Sequence, residues 1–194
     1  VPAEMMDGAL ALSSYAASLD LFTDATDAQP LLDSPHLDAD PILVDWLPVS
    51  TPGSVGLTFA PGKHATSAMG APWRRSLGED LDRLAGHHAA KHLVCLVEDH
   101  ELVSLNIPDL VEQAQQRAIE VLATHPDGGI PDALPPLLGL VASIRTRAAA
   151  GGNVVIHCRG GLGRSGVVGG AVLLADRKTA VEALHILKEV RGPQ

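Results

Sequence analysis

A chain of 194 residues is long enough for one substantial hydrophobic core, and 46% apolar with 19% charged residues is the composition of a compact globular protein. The formal charge of −9, with 14 scattered lysines and arginines, argues against partners that carry a negative backbone or surface, such as nucleic acids and anionic membranes. Two cysteines are too few for a disulfide framework, so we expect a protein of the reducing cytoplasm.

The chain divides by composition into an extension and one domain. Residues 18–40 are rich in Asp, Pro, Ser and Thr and have little apolar periodicity, which is typical of a solvated acidic loop. We therefore predict an N-terminal extension over residues 1–40 and a single domain over residues 41–194. The longest apolar stretches are far shorter than the roughly 20 residues that span a bilayer.

Two kinds of apolar pattern alternate along this domain. Short apolar or β-branched runs bounded by Pro and Gly predict buried strands, and apolar residues spaced three to four apart predict helices. In chain order they give strands at 42–46 and 56–59, a helix at 77–88, a strand at 92–97, helices at 108–122 and 134–150, a strand at 154–156, a loop at 159–163, and helices at 164–175 and 179–190. The alternation predicts an α/β fold, with a central, mostly parallel sheet flanked by helices on both faces.

The stretch most informative about chemistry is V-V-I-H-C-R-G-G-L-G-R-S-G, residues 154–166. It places Cys158 at the carboxyl end of a buried strand, followed by a glycine-rich turn and a helix beginning at Arg164. Ligands of open α/β sheets bind at that edge, where loop amides and the positive end of a helix dipole favour an anion. The sequence therefore predicts a phosphate or other oxyanion in the loop, held by Arg159, Gly160, Gly161, Leu162, Gly163 and Arg164.

The same surroundings predict a reactive thiol. A cysteine that faces a helix N-terminus, loop amides and a guanidinium can have its pKa lowered from about 8.5 to roughly 3.5–7.5, so Cys158 is expected to be a nucleophilic thiolate. Arg164 can bind two phosphate oxygens with its planar fork. Ser165 can donate to the sulfur when it leaves, and His157 is expected to order the loop through its ring N–H. An inert buried thiol would not need these glycines and arginines together.

These residues resemble the signature of the protein tyrosine phosphatase superfamily: His157-Cys158, five residues, then Arg164-Ser165. The loop R-G-G-L-G-R-S is similar to that of the cyclin-dependent kinase inhibitor 3 (kinase-associated) phosphatase family. The resemblance continues through D-W-L-P-V (45–49), G-L-T-F-A-P-G-K (56–63), E-L (101–102), I-P-D-L (107–110) and D-G-G-I-P-D (127–132). It implies a dual-specificity-type, metal-independent phosphatase that removes phosphate from protein Tyr, Ser or Thr through a phosphocysteine, without a cofactor.

A phosphatase of this kind needs a general acid to protonate the leaving oxygen. In the resembled family the first Asp of the D-G-G-x-P-D loop has this role, which falls on Asp127. Asp132 is the second candidate. The approach to the loop, Thr124-His125-Pro126, is less apolar than the family pattern, so the acid loop need not have the family's position.

Two other functions remain open from the sequence. One is a phosphoinositide, nucleotide or RNA 5′-phosphatase with the same chemistry, although phosphoinositide enzymes of this kind usually carry additional loop lysines. The other is a phosphoprotein-binding pseudophosphatase without turnover. The intact Cys158, Arg164 and Ser165 favour an active protein phosphatase, and the resemblance implies a phosphoprotein substrate, with a kinase as a candidate partner. We expect a monomer.

Several other residues are weaker candidates. The cluster of His87, His88 and His92 near Cys95 is better explained by a helix end and a buried strand than by a zinc site, so no metal is predicted. A protective disulfide between Cys95 and Cys158 needs a sulfur separation that the sequence does not specify. The last group consists of cations that could line a substrate entrance or simply be solvated: Lys63, Arg74 and Arg75.

Overall fold

The computed structural model describes residues 40–65, 73–123 and 134–192, which fold around a five-stranded sheet. The strands are β1 (Asp45–Leu47), β2 (Val55–Thr58), β5 (Ala90–Cys95), β6 (Glu120–Ala123) and β7 (Asn153–His157), and a separate two-stranded ladder joins β3 (His64–Ala65) to β4 (Trp73–Arg74). The helices are α1 (Leu77–Ala85), α2 (Asp99–Ser104), α3 (Leu110–Gln116), α4 (Leu134–Ala149), α5 (Gly163–Ala175) and α6 (Ala180–Arg191).

The order of the strands places the cysteine-bearing strand in the middle. The sheet runs β1-β2-β7-β5-β6, with β1 antiparallel to β2 and the other three pairings parallel. The predicted class, a mostly parallel sheet between helices, is therefore confirmed. Because parallel strands end at a common edge, the carboxyl ends of β2, β5 and β7 lie side by side.

Alternation along β7 divides the interior into two cores. Val154 and Ile156 pack toward α4, α5 and α6, whereas Val155 packs on the opposite face with residues of α1 and α3. All three valine and isoleucine side chains are fully buried. This two-sided burial explains why β7 is a continuous apolar run rather than an alternating one.

Helix α5 is buried along most of its length because it packs on the central strands. Gly169 allows this approach, because a Cβ there would lie 3.0 Å from a methyl of Leu57. The helix has only 13 residues.

Within the described ranges, no helix is both long and apolar enough to cross a membrane.

One predicted element is wrong. The helical pattern over residues 108–122 yields α3, which ends at Gln116, and then strand β6, which pairs in parallel with β5 through His92↔Glu120. Ala118 has a positive φ of 58°, which an α-helix does not accommodate. Over so short a run, the apolar residues 119 and 121–122 are compatible with both helical spacing and a strand pattern. The segment forms a strand because it pairs with the edge of β5. Helix α2 and the β3–β4 ladder were not predicted.

Candidate active site

Cys158 lies directly after β7, at the carboxyl edge of the sheet, and is followed by a turn into α5. We call residues 158–164 the cysteine loop. The Cys158 side chain is only 3% exposed, and it belongs to the core that β7 forms with α5. The sulfur is therefore held by packing from the strand and the helix, not by the loop alone.

The loop folds back so that its own backbone contacts the sulfur. The Gly161 N–H donates to Cys158 Sγ at 3.1 Å, and Gly161 has a φ of +81°. A Cβ there would lie 2.7 Å from the Phe59 nitrogen, so both the left-handed backbone and the contact with the end of β2 require glycine. At Gly160 and Gly163 a Cβ would meet nothing within 4 Å.

Ser165, in the first turn of α5, connects the sulfur to the loop. Its fully buried hydroxyl donates to the Gly161 carbonyl at 2.6 Å and lies 3.5 Å from Cys158 Sγ. A hydroxyl has one proton. The proton given to Gly161 O must rotate toward the sulfur before Ser165 can donate to it, so the predicted donation competes with a contact that shapes the loop.

Arg164 is held by a residue that the sequence did not identify as part of the site. Glu101, on α2, accepts from Arg164 Nη1 at 2.5 Å and from Nη2 at 2.7 Å, and Nη1 also donates to the Leu96 carbonyl at 2.8 Å. These hydrogen bonds lower the pKa of Glu101 below its usual range and raise that of Arg164. Glu101 is an ionised partner at neutral pH.

This arrangement leaves one edge of the guanidinium available. Of its five N–H donors, both on Nη1 and one on Nη2 are used by Leu96 and Glu101. The other two, Nε–H and the second Nη2–H, have no acceptor within residues 40–65, 73–123 and 134–192; they lie on the same side of the planar group and form a second fork. Glu101 thus fixes the orientation of Arg164 through one edge, and the other can bind two oxygens of a tetrahedral oxyanion.

Glu101 was missed because the local sequence explains it in another way. Its side chain also accepts from the Glu98 backbone N–H at 3.1 Å, completing a capping box at the start of α2. E-x-x-E at a helix start is an ordinary capping pattern, and a pairing 63 positions away is not visible in it. The resemblance in E-L at Glu101-Leu102 was its only signal.

Replacing Glu101 with glutamine should therefore impair Arg164 without removing it. One carboxylate oxygen becomes an amide that cannot accept, so the bidentate pair is lost and the guanidinium can rotate away from its fork position. We expect kcat/KM for a phosphomonoester to fall by about tenfold. The matched control is Glu112→Gln, on the exposed side of α3. Equal kcat/KM for Glu101→Gln and the wild type would contradict this positioning role.

His157 is fully buried beside the nucleophile. Burial lowers its pKa to about 4, with a further lowering by Arg164 and a partial opposing effect of the Cys158 backbone, so the ring is neutral at physiological pH. Neither ring nitrogen has a hydrogen-bond partner in the described part of the chain. Its role in ordering the loop stays a prediction.

The other predicted loop residues point outward. Arg159 is exposed, and its Nη1 lies 3.4 Å from the hydroxyl of Ser104 at the end of α2. Leu162 is 45% exposed. The side chains of both residues therefore belong to the rim of the site, while their backbone continues the loop around the sulfur.

The three cations proposed to line an entrance separate in the structure. Arg75 is 5% exposed and forms a buried ion pair with Asp80 at 2.6 Å, so it supports the β4–α1 connection. Arg74 is exposed on β4. Lys63 is 8% exposed, and it is close enough to Cys158 and Arg159 for both to affect its pKa.

The remaining candidates contribute no second site among the described residues. Cys95 is buried at the end of β5, and burial raises its pKa to about 11. His92 bonds Glu120 at 2.9 Å, and no group of three His, Cys, Asp or Glu in ranges 40–65, 73–123 and 134–192 is placed to hold a metal ion. The two candidate acids, Asp127 and Asp132, lie outside the described residues.

Comparison with known proteins gives a consistent result. The sequence profile of cyclin-dependent kinase inhibitor 3 (CDKN3) matches residues 16–183. The protein of that name from Rattus norvegicus is 30% identical to this chain, and the one from Homo sapiens is 28% identical. Each match covers 87% of this chain and 77% of the relative.

Solved structures agree. A kinase associated phosphatase with its catalytic-site cysteine replaced by serine superposes with a TM-score of 0.67 and 26% identity, over 79% of this chain and 85% of that one. Tk-PTP in its active form has a TM-score of 0.54 and 33% identity, over 72% and 80%. The fold is that of cysteine phosphatases, as the sequence signature implied.

Proposed function

Because the chain belongs to the cyclin-dependent kinase inhibitor 3 family, we propose that it hydrolyses phosphomonoesters on protein Tyr, Ser or Thr through a phosphocysteine intermediate. The observation that supports this most directly is the pairing of Arg164 with Glu101. It holds a guanidinium with an available two-donor edge at the start of α5, next to a sulfur that already accepts from the Gly161 N–H.

In the first proposed step, Cys158 Sγ attacks phosphorus. The S–P bond forms as the bond from phosphorus to the substrate oxygen breaks, and the leaving oxygen takes a proton from Asp127. The available edge of Arg164 binds two equatorial oxygens, whose charge develops in the transition state, and the N-terminus of α5 adds a favourable dipole.

In the second step, water attacks the phosphocysteine. Asp127, now a carboxylate, takes the proton of the water, the O–P bond forms and the S–P bond breaks, which releases inorganic phosphate and the thiolate. Ser165 assists by rotating its hydroxyl so that it donates a hydrogen bond to the departing sulfur, 3.5 Å from its oxygen, instead of to Gly161 O; the proton stays on the serine oxygen.

The proposal extends to the setting of the enzyme. Residues 41–194 are the catalytic domain and residues 1–40 an extension. A relative is named a kinase associated phosphatase and others a cyclin-dependent kinase inhibitor, so a phosphorylated kinase is the proposed class of partner and substrate. The proposed location is the cytoplasm, and the proposed oligomeric state is a monomer.

The test is hydrolysis of p-nitrophenyl phosphate by the purified chain, with and without EDTA, alongside Asp127→Ala and Asp132→Ala. We expect turnover that EDTA does not affect, and a kcat for Asp127→Ala that is about 10²-fold lower because general acid catalysis is lost. A larger loss in Asp132→Ala would transfer the role to Asp132. If the wild type binds vanadate or a phosphopeptide but shows no turnover, the proposed enzyme activity is wrong and the chain is a phosphate-binding module.

A further inference from the structure

Lys63 lies in an unusual environment for a lysine. Its side chain is 8% exposed, its Nζ lies 3.7 Å from the centroid of the Trp73 ring, and the Phe59 ring is 4.8 Å away. The two rings themselves pack at 5.5 Å. Two aromatic faces therefore hold the ammonium in one place, and they replace only part of the hydration that burial removes.

No carboxylate among the described residues compensates this charge, and Cys158, which is expected to be a thiolate, is the one group that favours the charged form. The charged groups that act on Lys63 are Arg75, Arg159 and Cys158, and no carboxylate is among them. No ion pair and no side-chain hydrogen bond of its ammonium is found in residues 40–65, 73–123 and 134–192. By contrast, Arg75 next to it is bonded to Asp80. A buried ammonium without an acceptor is costly, so the site favours an anion supplied from outside.

The segment that carries Lys63 is packed directly on the cysteine loop. The Phe59 nitrogen is the closest atom to the Cβ position of Gly161, and the Ala60 N–H lies 3.4 Å from the Arg159 carbonyl. Three residues later, Lys63 N bonds the Ala60 carbonyl at 3.3 Å, which closes a turn. The backbone of this segment is thus fixed relative to the cysteine loop, and the two aromatic rings hold the ammonium relative to that backbone.

The phosphoryl group itself does not need this cation. In the proposed mechanism its charge is balanced by the free edge of Arg164, the loop amides and the start of α5. We propose that Lys63 is a specificity-determining residue, which binds the carboxylate of an acidic side chain next to the phosphorylated residue of the substrate. This inference rests on the proposed phosphatase activity.

Two phosphopeptides that differ only in Glu or Gln beside the phosphorylated residue provide the test, with p-nitrophenyl phosphate as a substrate that has no neighbour. For the wild type we expect kcat/KM to be about tenfold higher for the Glu peptide than for the Gln peptide, mainly through KM. Lys63→Met should reduce this ratio to about one, while Lys63→Arg should retain most of it. The control is Lys91→Met, at an exposed position of β5.

The outcomes separate the two proposals. If the wild type hydrolyses none of the substrates, the proposed function fails. If it hydrolyses them but the Glu/Gln ratio is the same in the wild type and Lys63→Met, this inference alone is overturned. An equal loss on all three substrates also overturns it, because Lys63 would then act on the phosphoryl group or merely support the loop.

The pH dependence of the Glu/Gln ratio in the wild type is a second test, and it does not depend on whether any variant folds. Burial, followed by repulsion from Arg75, lowers the pKa of Lys63 to about 8, and only Cys158 opposes this. The ammonium is therefore charged below that pH and neutral above it, whereas the peptide carboxylate stays ionised. The Glu/Gln ratio should fall toward one as the pH rises through about 8 to 9, since a bound carboxylate raises the pKa. A ratio independent of pH over that range would contradict the proposal.

Discussion

Replacing Cys158 with serine is expected to abolish hydrolysis of p-nitrophenyl phosphate, with kcat lower by at least about 10⁴-fold. A serine hydroxyl is not ionised near neutral pH, and no described side chain is placed to act as its base: the neighbouring His157 is fully buried, and burial lowers its pKa to about 4. The serine is nearly the same size as cysteine, so Gly161 and Arg164 keep their positions. We therefore expect inorganic phosphate, which is held by the loop and Arg164 without a bond to the nucleophile, to bind Cys158→Ser about as well as it binds the wild type.

The matched control for this prediction is Cys95→Ala, which removes the second thiol from the end of β5. Cys95 is buried and its pKa is raised to about 11, so it is not a competing nucleophile at neutral pH. Activity of this variant close to that of the wild type, in a sample whose thermal unfolding shows a folded protein, would assign turnover to Cys158. Residual turnover in Cys158→Ser that is lost when Cys95 is also replaced would contradict the assignment.

Replacing Arg164 with lysine is expected to lower kcat/KM by about 10²–10³-fold, although the positive charge is retained. Lysine has no planar group with two separate edges. It can bond Glu101 or the oxyanion, but it cannot be held by the first while it presents two parallel donors to the second. The loss should appear in kcat as well as in KM, because the fork binds oxygens whose charge increases in the transition state.

Arg177→Lys is the control for Arg164→Lys, because Arg177 is exposed just beyond the opposite end of α5. Its activity should match that of the wild type. If Arg164→Lys lost less than about threefold, bidentate binding by this side chain would not be part of the reaction. If it lost only binding and not kcat, Arg164 would hold the substrate without stabilising the transition state.

The sequence by itself determined the features that depend on neighbours along the chain. The apolar run of β7, the glycine-rich turn and the buried helix α5 are consecutive, so their patterns predicted both the sheet and the position of Cys158 at its edge. The left-handed backbone of Gly161 is likewise typical of a glycine-rich turn, whereas its close approach to the end of β2 is a tertiary contact. Local periodicity was insufficient where a short run satisfied two periods, as at β6, and where an element was too short to show a period, as at α2 and the β3–β4 ladder.

Only the tertiary structure decided which distant side chains complete the site. Glu101 reaches Arg164 because α2 follows β5 at the same edge at which α5 follows β7. The sequence of the capping pattern does not show which of its two glutamates, Glu98 or Glu101, pairs with the arginine. Lys63 and Arg75 are both buried cations, yet among the described residues Arg75 is paired with Asp80, whereas the Lys63 ammonium lies over two aromatic rings and has no carboxylate partner. Burial and pairing depend on what the rest of the chain places nearby, and a residue's own sequence neighbourhood does not contain that information.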